Sequence, residues 1–348
     1  YNMAYATITK PSLQFNTKLY TGAGGTQNIT GVGFQPDFVW IKERSQAEPH
    51  VLFDAVRGVT KALNSNDESV DDTISNALTT FGTDGFTVSG NGATNENSQT
   101  YVSWNWKANG AGSSNSNGSI TATVSANTTA GFSIVTYTGT GSNATVGHGL
   151  NTAPKIILIK NRDAAHSWSV YSNYIGSDDY LKLDTDSSKD TNTTRFNDTH
   201  PTSTVFSLGT HGSGNASGEE FIAYCFTEVK GFSRFGQYNG NGASDGTFAY
   251  TGFKPAFVLI KNVSSNGSNW QIYDNKREGY NTQNDLIRAN LTDAEGNGTD
   301  PIDILSNGFK NRHTAASQNT NNDTYIYMAF AEEPLVANVG SGIPATAR

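Results

Sequence analysis

Gly33-Phe34-Gln35-Pro36-Asp37-Phe38-Val39-Trp40-Ile41-Lys42 decides the fold, because the phrase occurs three times. The second copy opens on Gly149-Leu150 and closes on Pro154-Lys155-Ile156-Ile157-Leu158-Ile159-Lys160. The third is Gly252-Phe253-Lys254-Pro255-Ala256-Phe257-Val258-Leu259-Ile260-Lys261. In each, a proline stands six residues before the closing lysine, and the prolines fall 118 and 101 residues apart. Those intervals exceed the roughly 20–50 residue periods of solenoids and propellers and match a unit of about 100 residues. Proline has no amide hydrogen, so it belongs at the start of a strand and not inside a ladder. The unbroken apolar run behind it fits a central strand covered on both faces. The closing lysine is expected to carry the strand end out to water.

Other landmarks recur around the phrase. An aromatic strand ending in a turn precedes it: Phe15 to Gly22, Phe132 to Gly139, Phe235 to Gly240. After the lysine come His50-Val51-Leu52-Phe53, Trp168-Ser169-Val170-Tyr171 and Trp270-Gln271-Ile272-Tyr273. Aromatic closing strands start at Tyr101, Phe221 and Tyr325, which lie 59, 61 and 64 residues past their lysines. Short strands, many turn signals and no helical period give an all-β fold. The expected architecture is three tandem β-sandwich domains of jelly-roll type over 1–108, 121–230 and 231–334. Residues 109–120, rich in Gly, Ser and Asn, read as a flexible linker, and 335–348 as a C-terminal tail.

Composition narrows the function classes. Net charge is −8 with scattered cations, so there is no basic stripe for nucleic acid. The first eleven residues lack an apolar signal core, and no 18-residue apolar stretch occurs. The expectation is therefore neither a retained signal peptide nor a membrane span. Cys225 is the one cysteine; it sits in the apolar run Phe221–Phe226 and reads as a buried, inert thiol.

No catalytic, cofactor or metal site is assigned from sequence. Gly242-Ala243-Ser244-Asp245-Gly246 has the spacing of a nucleophile elbow, but it falls in a turn between β segments. Asp184-Thr185-Asp186-Ser187-Ser188-Lys189-Asp190 begins like a calcium loop, yet Lys189 and Arg195 stand where glycine and glutamate are needed. That stretch, the acidic group Asp67, Glu68, Asp71 and Asp72, and the segment around Asn290 and Asp293 read as solvated loops, a weak cation site being the alternative. His50, His148, His166, His200, His211 and His313 show no metal-ligand spacing. Asn-X-Ser/Thr at Asn28, Asn127, Asn192 and Asn290 reflects composition. Trp168 and Trp270 read as core, with sugar stacking as the alternative.

The run Gly33–Arg44 resembles a repeated domain found in structural proteins of marine tailed bacteriophages. So do Phe53-Asp54-Ala55-Val56-Arg57-Gly58, Asp84-Gly85-Phe86-Thr87-Val88 and Tyr101-Val102-Ser103-Trp104-Asn105-Trp106-Lys107-Ala108. Gly147-His148-Gly149-Leu150 with Pro154-Lys155 and Lys160-Asn161-Arg162 is similar to the other common spelling of that domain. The resemblance covers nearly the whole chain and brings no catalytic residues. It implies a non-enzymatic virion protein assembled in the bacterial cytoplasm, as a tail-fibre or appendage component or a capsid decoration. Its implied partners are other virion proteins, further copies of itself, a trimer first, and glycans of the host surface. A secreted carbohydrate-binding protein is the alternative; a glycan-degrading enzyme would need a carboxylate pair that the sequence does not single out. Copy three departs at Asn262-Val263, where the others have Glu43-Arg44 and Asn161-Arg162, and only copy one is read as keeping the Phe53–Gly58 phrase.

Overall fold

The phrase becomes an interior strand in every copy. The computed structural model describes residues 6–334, the tail expected over 335–348 lying outside them. The phrase strands are Phe38–Glu43, Ile156–Asn161 and Phe253–Asn262. Each pairs antiparallel on one side with the closing strand of its copy, Thr100–Trp106, Glu220–Phe226 or Thr324–Pro334. On the other side it pairs with Val51–Asp54, Ser169–Ser172 or Gln271–Asp274. The opening strands Phe15–Thr21, Phe132–Thr138 and Ser233–Asn239 lie beyond the closing strands. The register repeats as well, with Phe38, Ile156 and Phe257 facing Trp106, Phe226 and Phe330. Pro36 and Pro154 stand just before their strands, while Pro255 lies inside one, at a bulge where the ladder is broken.

The molecule is all-β, with several antiparallel sheets, one of them an eight-stranded sheet made by copy three alone. Alternation along the phrase strand explains its apolar run. Val39 and Ile41 point into a core belonging to copy one, Ile157 and Ile159 into one belonging to copy two, Val258 and Ile260 into one belonging to copy three. The intervening residues, Phe38 and Trp40, Ile156 and Leu158, Phe257 and Leu259, all enter a fourth core common to the three copies. The shared core is aromatic at its centre. The Trp106 ring lies 5.8 Å from Phe257, 5.6 Å from Phe330 and 6.4 Å from Phe226, and Phe38 stacks on Tyr224 at 4.3 Å. Such tilted and offset pairs add to the stabilisation from area burial.

The linker expected over 109–120 is a correction. Ser113–Asn115 forms a strand on Ala122–Asn127, which itself pairs with Phe132–Thr138, and Ile120 bridges to Val146. The glycines that make this segment look flexible serve close packing. A β-carbon on Gly112 would meet the Val124 backbone at 2.8 Å, and one on Gly118 the Thr145 carbonyl at 2.3 Å.

A common core couples the copies. Phe257→Ala is expected to remove about 3–5 kcal/mol, although Phe257 belongs to copy three. Near-ultraviolet circular dichroism and tryptophan fluorescence, the latter reporting mainly on copies one and two, should shift together in one transition. Loss of the copy-three signal alone would show that the fourth core does not couple them.

Candidate functional site: the seams between copies

The three copies close on one another in a ring through bonds that repeat at equivalent positions. The amide of Asp71 in copy one donates to the carbonyl of Arg162 in copy two at 3.0 Å. Lys189 does the same to Val263 at 3.2 Å, and Glu295 to Arg44 at 2.8 Å, which returns the chain to copy one. One layer further in, Trp168 Nε1 donates to the carbonyl of Asn64, and Trp270 Nε1 to that of Lys182, both at 2.8 Å. Copy one has His50 at this position. Its Nδ1 accepts from Trp40 Nε1 at 2.8 Å, so Nε2 carries the proton and donates to the Arg288 carbonyl at 3.0 Å. Burial pushes His50 well below the usual histidine range, with Lys42 adding to the shift, so the ring is neutral.

Two seams also hold a buried ionic unit. Asp54 Oδ1 accepts from the amides of Val56 and Arg57, and Oδ2 from Arg57 Nε at 2.5 Å and from the Tyr224 hydroxyl of copy two at 2.8 Å. Arg57 reaches on to Asp71 at 2.9 Å, and Asp71 also holds Arg162 of copy two at 2.9 Å. The seam between copies three and one repeats this design. Asp274 takes the amides of Lys276 and Arg277, then Arg277 Nε at 2.6 Å and Trp104 Nε1 of copy one at 3.0 Å. Arg277 reaches Glu295, which holds Arg44 of copy one at 2.6 Å. Burial alone would raise Asp274, but Arg277 and its other donors outweigh that and hold it below the usual carboxylate range.

Copy three therefore keeps the Asp-x-x-Arg of the Phe53–Gly58 phrase, as Asp274 and Arg277, and the reading that only copy one keeps it is corrected. The two arginines are interior groups, their side chains at most 1% exposed.

The seam between copies two and three lacks the unit altogether. Ser172 and Ile175 replace Asp and Arg, Lys189 replaces the bridging carboxylate, Val263 replaces the second arginine, and Met328 replaces the Tyr or Trp donor. Apolar side chains close the gap there: Ile156, Leu158, Val170, Leu259, Trp270 and Met328 line one small cavity. This accounts for the departure at Asn262-Val263. An arginine at 263 would enter a seam with no carboxylate at the bridging position, since Lys189 turns away to Asp179.

The closing lysines are a second correction. Lys42, Lys160 and Lys261 are wholly buried. Each folds back to hold the loop that follows it, through the carbonyls of Gln46, His166 and Ser268 respectively, Lys42 also donating to the carbonyl of its neighbour Glu43. Lys160 also ties in Glu68 of copy one, whose carbonyl accepts at 2.8 Å. A lysine at a strand end here supplies donors for loop carbonyls that water cannot reach. Burial pushes the ammonium groups down, to about 8 for Lys42 and Lys160 and about 7 for Lys261.

The remaining residues singled out from sequence fall into structural places. The acidic loops are solvated at Glu68, Asp72, Asp186, Asp190 and Asp293, which are exposed, while Asp71 enters a seam with its side chain 6% exposed, and Asp184 and Asn290 accept the Trp168 and Trp270 amides within their own copies. Among the described residues, no group of three or more His, Cys, Asp or Glu side chains is placed to hold a metal ion. Trp168, Trp270 and Cys225 are buried. Gly242–Gly246 lies in the loop between Ser233–Asn239 and Phe248–Tyr250, with no helix behind it.

Sequence reading missed a third set, the buried Asn95, Asn215 and Asn319. Each accepts one amide from the turn after its opening strand (Ala23, Thr140, Asn241) and donates to a carbonyl of the same turn (Gly25, Ser142, Ala243). The signal was available, since each asparagine stands six residues before the first aromatic of its closing strand.

The chain belongs to the family described as domain of unknown function (DUF7483), whose match spans residues 10–334 and so takes in all three copies as one unit. No curated protein matches it.

Asp71→Asn leaves Arg57 buried beside a weakened partner and is expected to remove about 3–5 kcal/mol. Lys189→Ala, at the equivalent point of the apolar seam, should stay within about 1 kcal/mol because that lysine is 43% exposed. Urea unfolding of both variants checks this, and equal losses would refute the ionic reading of the seam. The lysines set a pH dependence. Unfolded lysines keep their protons to about pH 10.4 while the buried ones release theirs lower, so stability should rise from about pH 7 towards pH 9.5. Lys261→Met should flatten part of that rise in Tm, and a flat wild-type profile would mean that the lysines stay protonated.

Proposed function

We propose that this chain is a non-enzymatic structural protein of a bacteriophage virion, displayed on the particle as a tail-fibre or appendage component or as a capsid decoration. In this reading each copy is a β-sandwich unit of jelly-roll type, and the three units form one module. One observation carries the proposal. The polar residues that recur hold either the loops and turns of their own copy, as the buried lysines and asparagines do, or the seams, as the amide–carbonyl links and ionic units do, so that the repeat places its chemistry in cohesion. Seams with a largely buried centre suit a part that must persist outside the cell without disulfides, Cys225 being the one cysteine. The resemblance of the Gly33–Arg44 and Tyr101–Ala108 stretches to repeated domains of marine phage structural proteins supplies the context. Other virion proteins and further copies of the chain, a trimer first, are the proposed partners. A module with threefold-related rims repeats any contact its loops make and so gains avidity.

The carbohydrate-binding alternative loses the residues it rested on. Trp168 and Trp270 each have their indole N–H bonded across a seam and their rings in the shared core. Any sugar stacking has to come from aromatics elsewhere.

Mass spectrometry of gradient-purified particles from a phage encoding this chain tests the proposal. The expected result is a stoichiometric virion component, with cryo-electron microscopy placing it on tail or capsid. Absence from intact particles would sink the reading.

A further inference from the structure

The seam that joins copy three back to copy one is closed by a group that titrates. Copies two and three carry Trp168 and Trp270 at the cross-seam position, whereas copy one carries His50. A second departure accompanies it. Trp40 stands where the other copies have Leu158 and Leu259, equivalent because the three face Trp104, Tyr224 and Met328 across their ladders. A buried indole N–H needs an acceptor, and His50 Nδ1 supplies one at 2.8 Å. The other ring nitrogen, Nε2, then donates to the Arg288 carbonyl of copy three at 3.0 Å, the bond that an indole makes in the other two seams. A Trp–His pair thus replaces a Leu–Trp pair, and one member of it can take up a proton.

The closed seam has no place for a second proton on this ring. His50 is wholly buried between Trp40 and Trp104, with ring centroids 5.8 and 6.5 Å away. A proton on Nδ1 would point at the N–H of Trp40, so the bond would be lost and two donors would face each other. Burial disfavours the charged ring most, and the nearby charges of Lys42 on the phrase strand and Arg277 of copy three add to it. The carboxylates of the seam do not compensate, because they are engaged elsewhere. Asp274 is held by Arg277 and Trp104, Glu295 by Arg277 and Arg44, and Asp293 lies 3.6 Å from the Arg288 guanidinium. Asp285 lies 3.8 Å from Arg44 and is itself pushed up, first by burial and then by Glu295. Closure therefore requires a neutral ring, while parting of the two copies would expose an ordinary histidine, with a pKa near 6.5.

We propose that the seam between copies three and one is an acid-sensitive latch, held shut by the neutral ring of His50 and released when that ring takes a second proton. The latch sits in the one seam that no chain connection spans. Its release opens the ring of copies while the chain still joins copy one to two and copy two to three. The sign follows from counting protons. At His50 the open form binds one proton more than the closed form does. Closure is therefore unaffected above about pH 6.5 and weakens about tenfold for each pH unit below it. Asp274, held below the usual carboxylate range, stays ionised through that window. Asp285 takes its proton more readily in the closed form, so it opposes release at the acidic end. The other two seams have an indole at this position, and an indole does not titrate.

Native-state hydrogen exchange of the full chain by NMR tests this, because three equivalent amides report on the three seams. Glu295 reports on the latch, Asp71 and Lys189 on the other two. Between pH 6.5 and pH 5 the protection factor of the Glu295 amide is expected to fall about tenfold per unit relative to those of Asp71 and Lys189. His148 and His211 are also pushed down by burial, but both lie in copy two and so cannot produce a slope confined to Glu295. His50→Gln keeps an oxygen for Trp40 and an N–H for the Arg288 carbonyl without a titrating group, and it should abolish the slope. The double variant Trp40→Leu with His50→Trp, which installs the pair of the other copies, should abolish it too. Three results would each overturn the proposal: Glu295 protection that follows Asp71 and Lys189 at every pH, a slope that survives either substitution, or a His50 ring that titrates near pH 6.5 in the closed protein. The virion reading is untouched by any of them, because particle composition is measured independently.

Discussion

A β-sheet with two apolar faces must find two covers, and the whole architecture follows from meeting that demand three times. In each copy the phrase strand is apolar at successive positions, so half of its side chains point to the copy's own second layer. The other half would face water if the copies were strung out as beads. Joining three such sheets around a common centre covers the second faces at once, with Trp106, Phe226, Phe257 and Phe330 in mutual contact. Burying a large aromatic stabilises by about 1.5–3 kcal/mol, so sharing the core contributes more than the seam hydrogen bonds do, whose net worth is about 1 kcal/mol each.

Those hydrogen bonds have another role, which is to fix the register of the ring. Apolar faces slide; a backbone amide aimed at one carbonyl does not. The three amide–carbonyl links and the three Trp or His links set one rotational position for each copy against the next. The ionic units add to this in two seams, and their pattern is instructive. All five members are present together or all are replaced together, as expected when removal of a single buried charge leaves its partner stranded. The apolar seam follows the short junction between copies two and three, where chain connectivity already restrains the neighbours. The seam that joins copy three back to copy one has no direct connection, and it carries the full ionic set. Connectivity is not the whole account, because the seam between copies one and two is directly connected and yet carries the same set, with Asp71 bridged by Arg57 and Arg162.

Much of this was legible in the sequence and some of it was not, for identifiable reasons. The phrase, its proline and its flanking aromatics fixed the strands, and the double-sided apolar run already said that both faces were covered. What covered the second face was not legible, because periodicity reports that a side chain is buried and not what buries it. The lysines were misread for a related reason. A lysine at a strand end usually snorkels, and only the three-dimensional return of the following loop, with Ser268, His166 and Gln46 turning their carbonyls inward, makes it a buried donor. Residues 109–120 were misread because glycine has two causes. Flexibility and close backbone approach look alike in composition, and at Gly112 and Gly118 the second cause operates. The Asp-x-x-Arg pattern in copy three was hidden by an inserted residue before its glycine, so Gly279 stands one position later than Gly58 does.

Repetition within one chain is itself a control experiment. Positions that keep the same residue chemistry in all three copies, such as the buried lysines and Asn95, Asn215 and Asn319, have the same role in each and so report on the fold. Positions that differ report on what one copy does alone. By that criterion the ionic units, absent from one seam, tune cohesion, whereas the outward aromatics of copy three serve local packing: a β-carbon on Gly308 would meet the Phe248 ring at 2.9 Å, and one on Gly252 the Tyr250 side chain at 3.5 Å. Phe248 and Tyr250, 42% and 54% exposed, thus replace the small or polar outward residues found at Thr30 and Thr145 with rings that shield the backbone of their own copy.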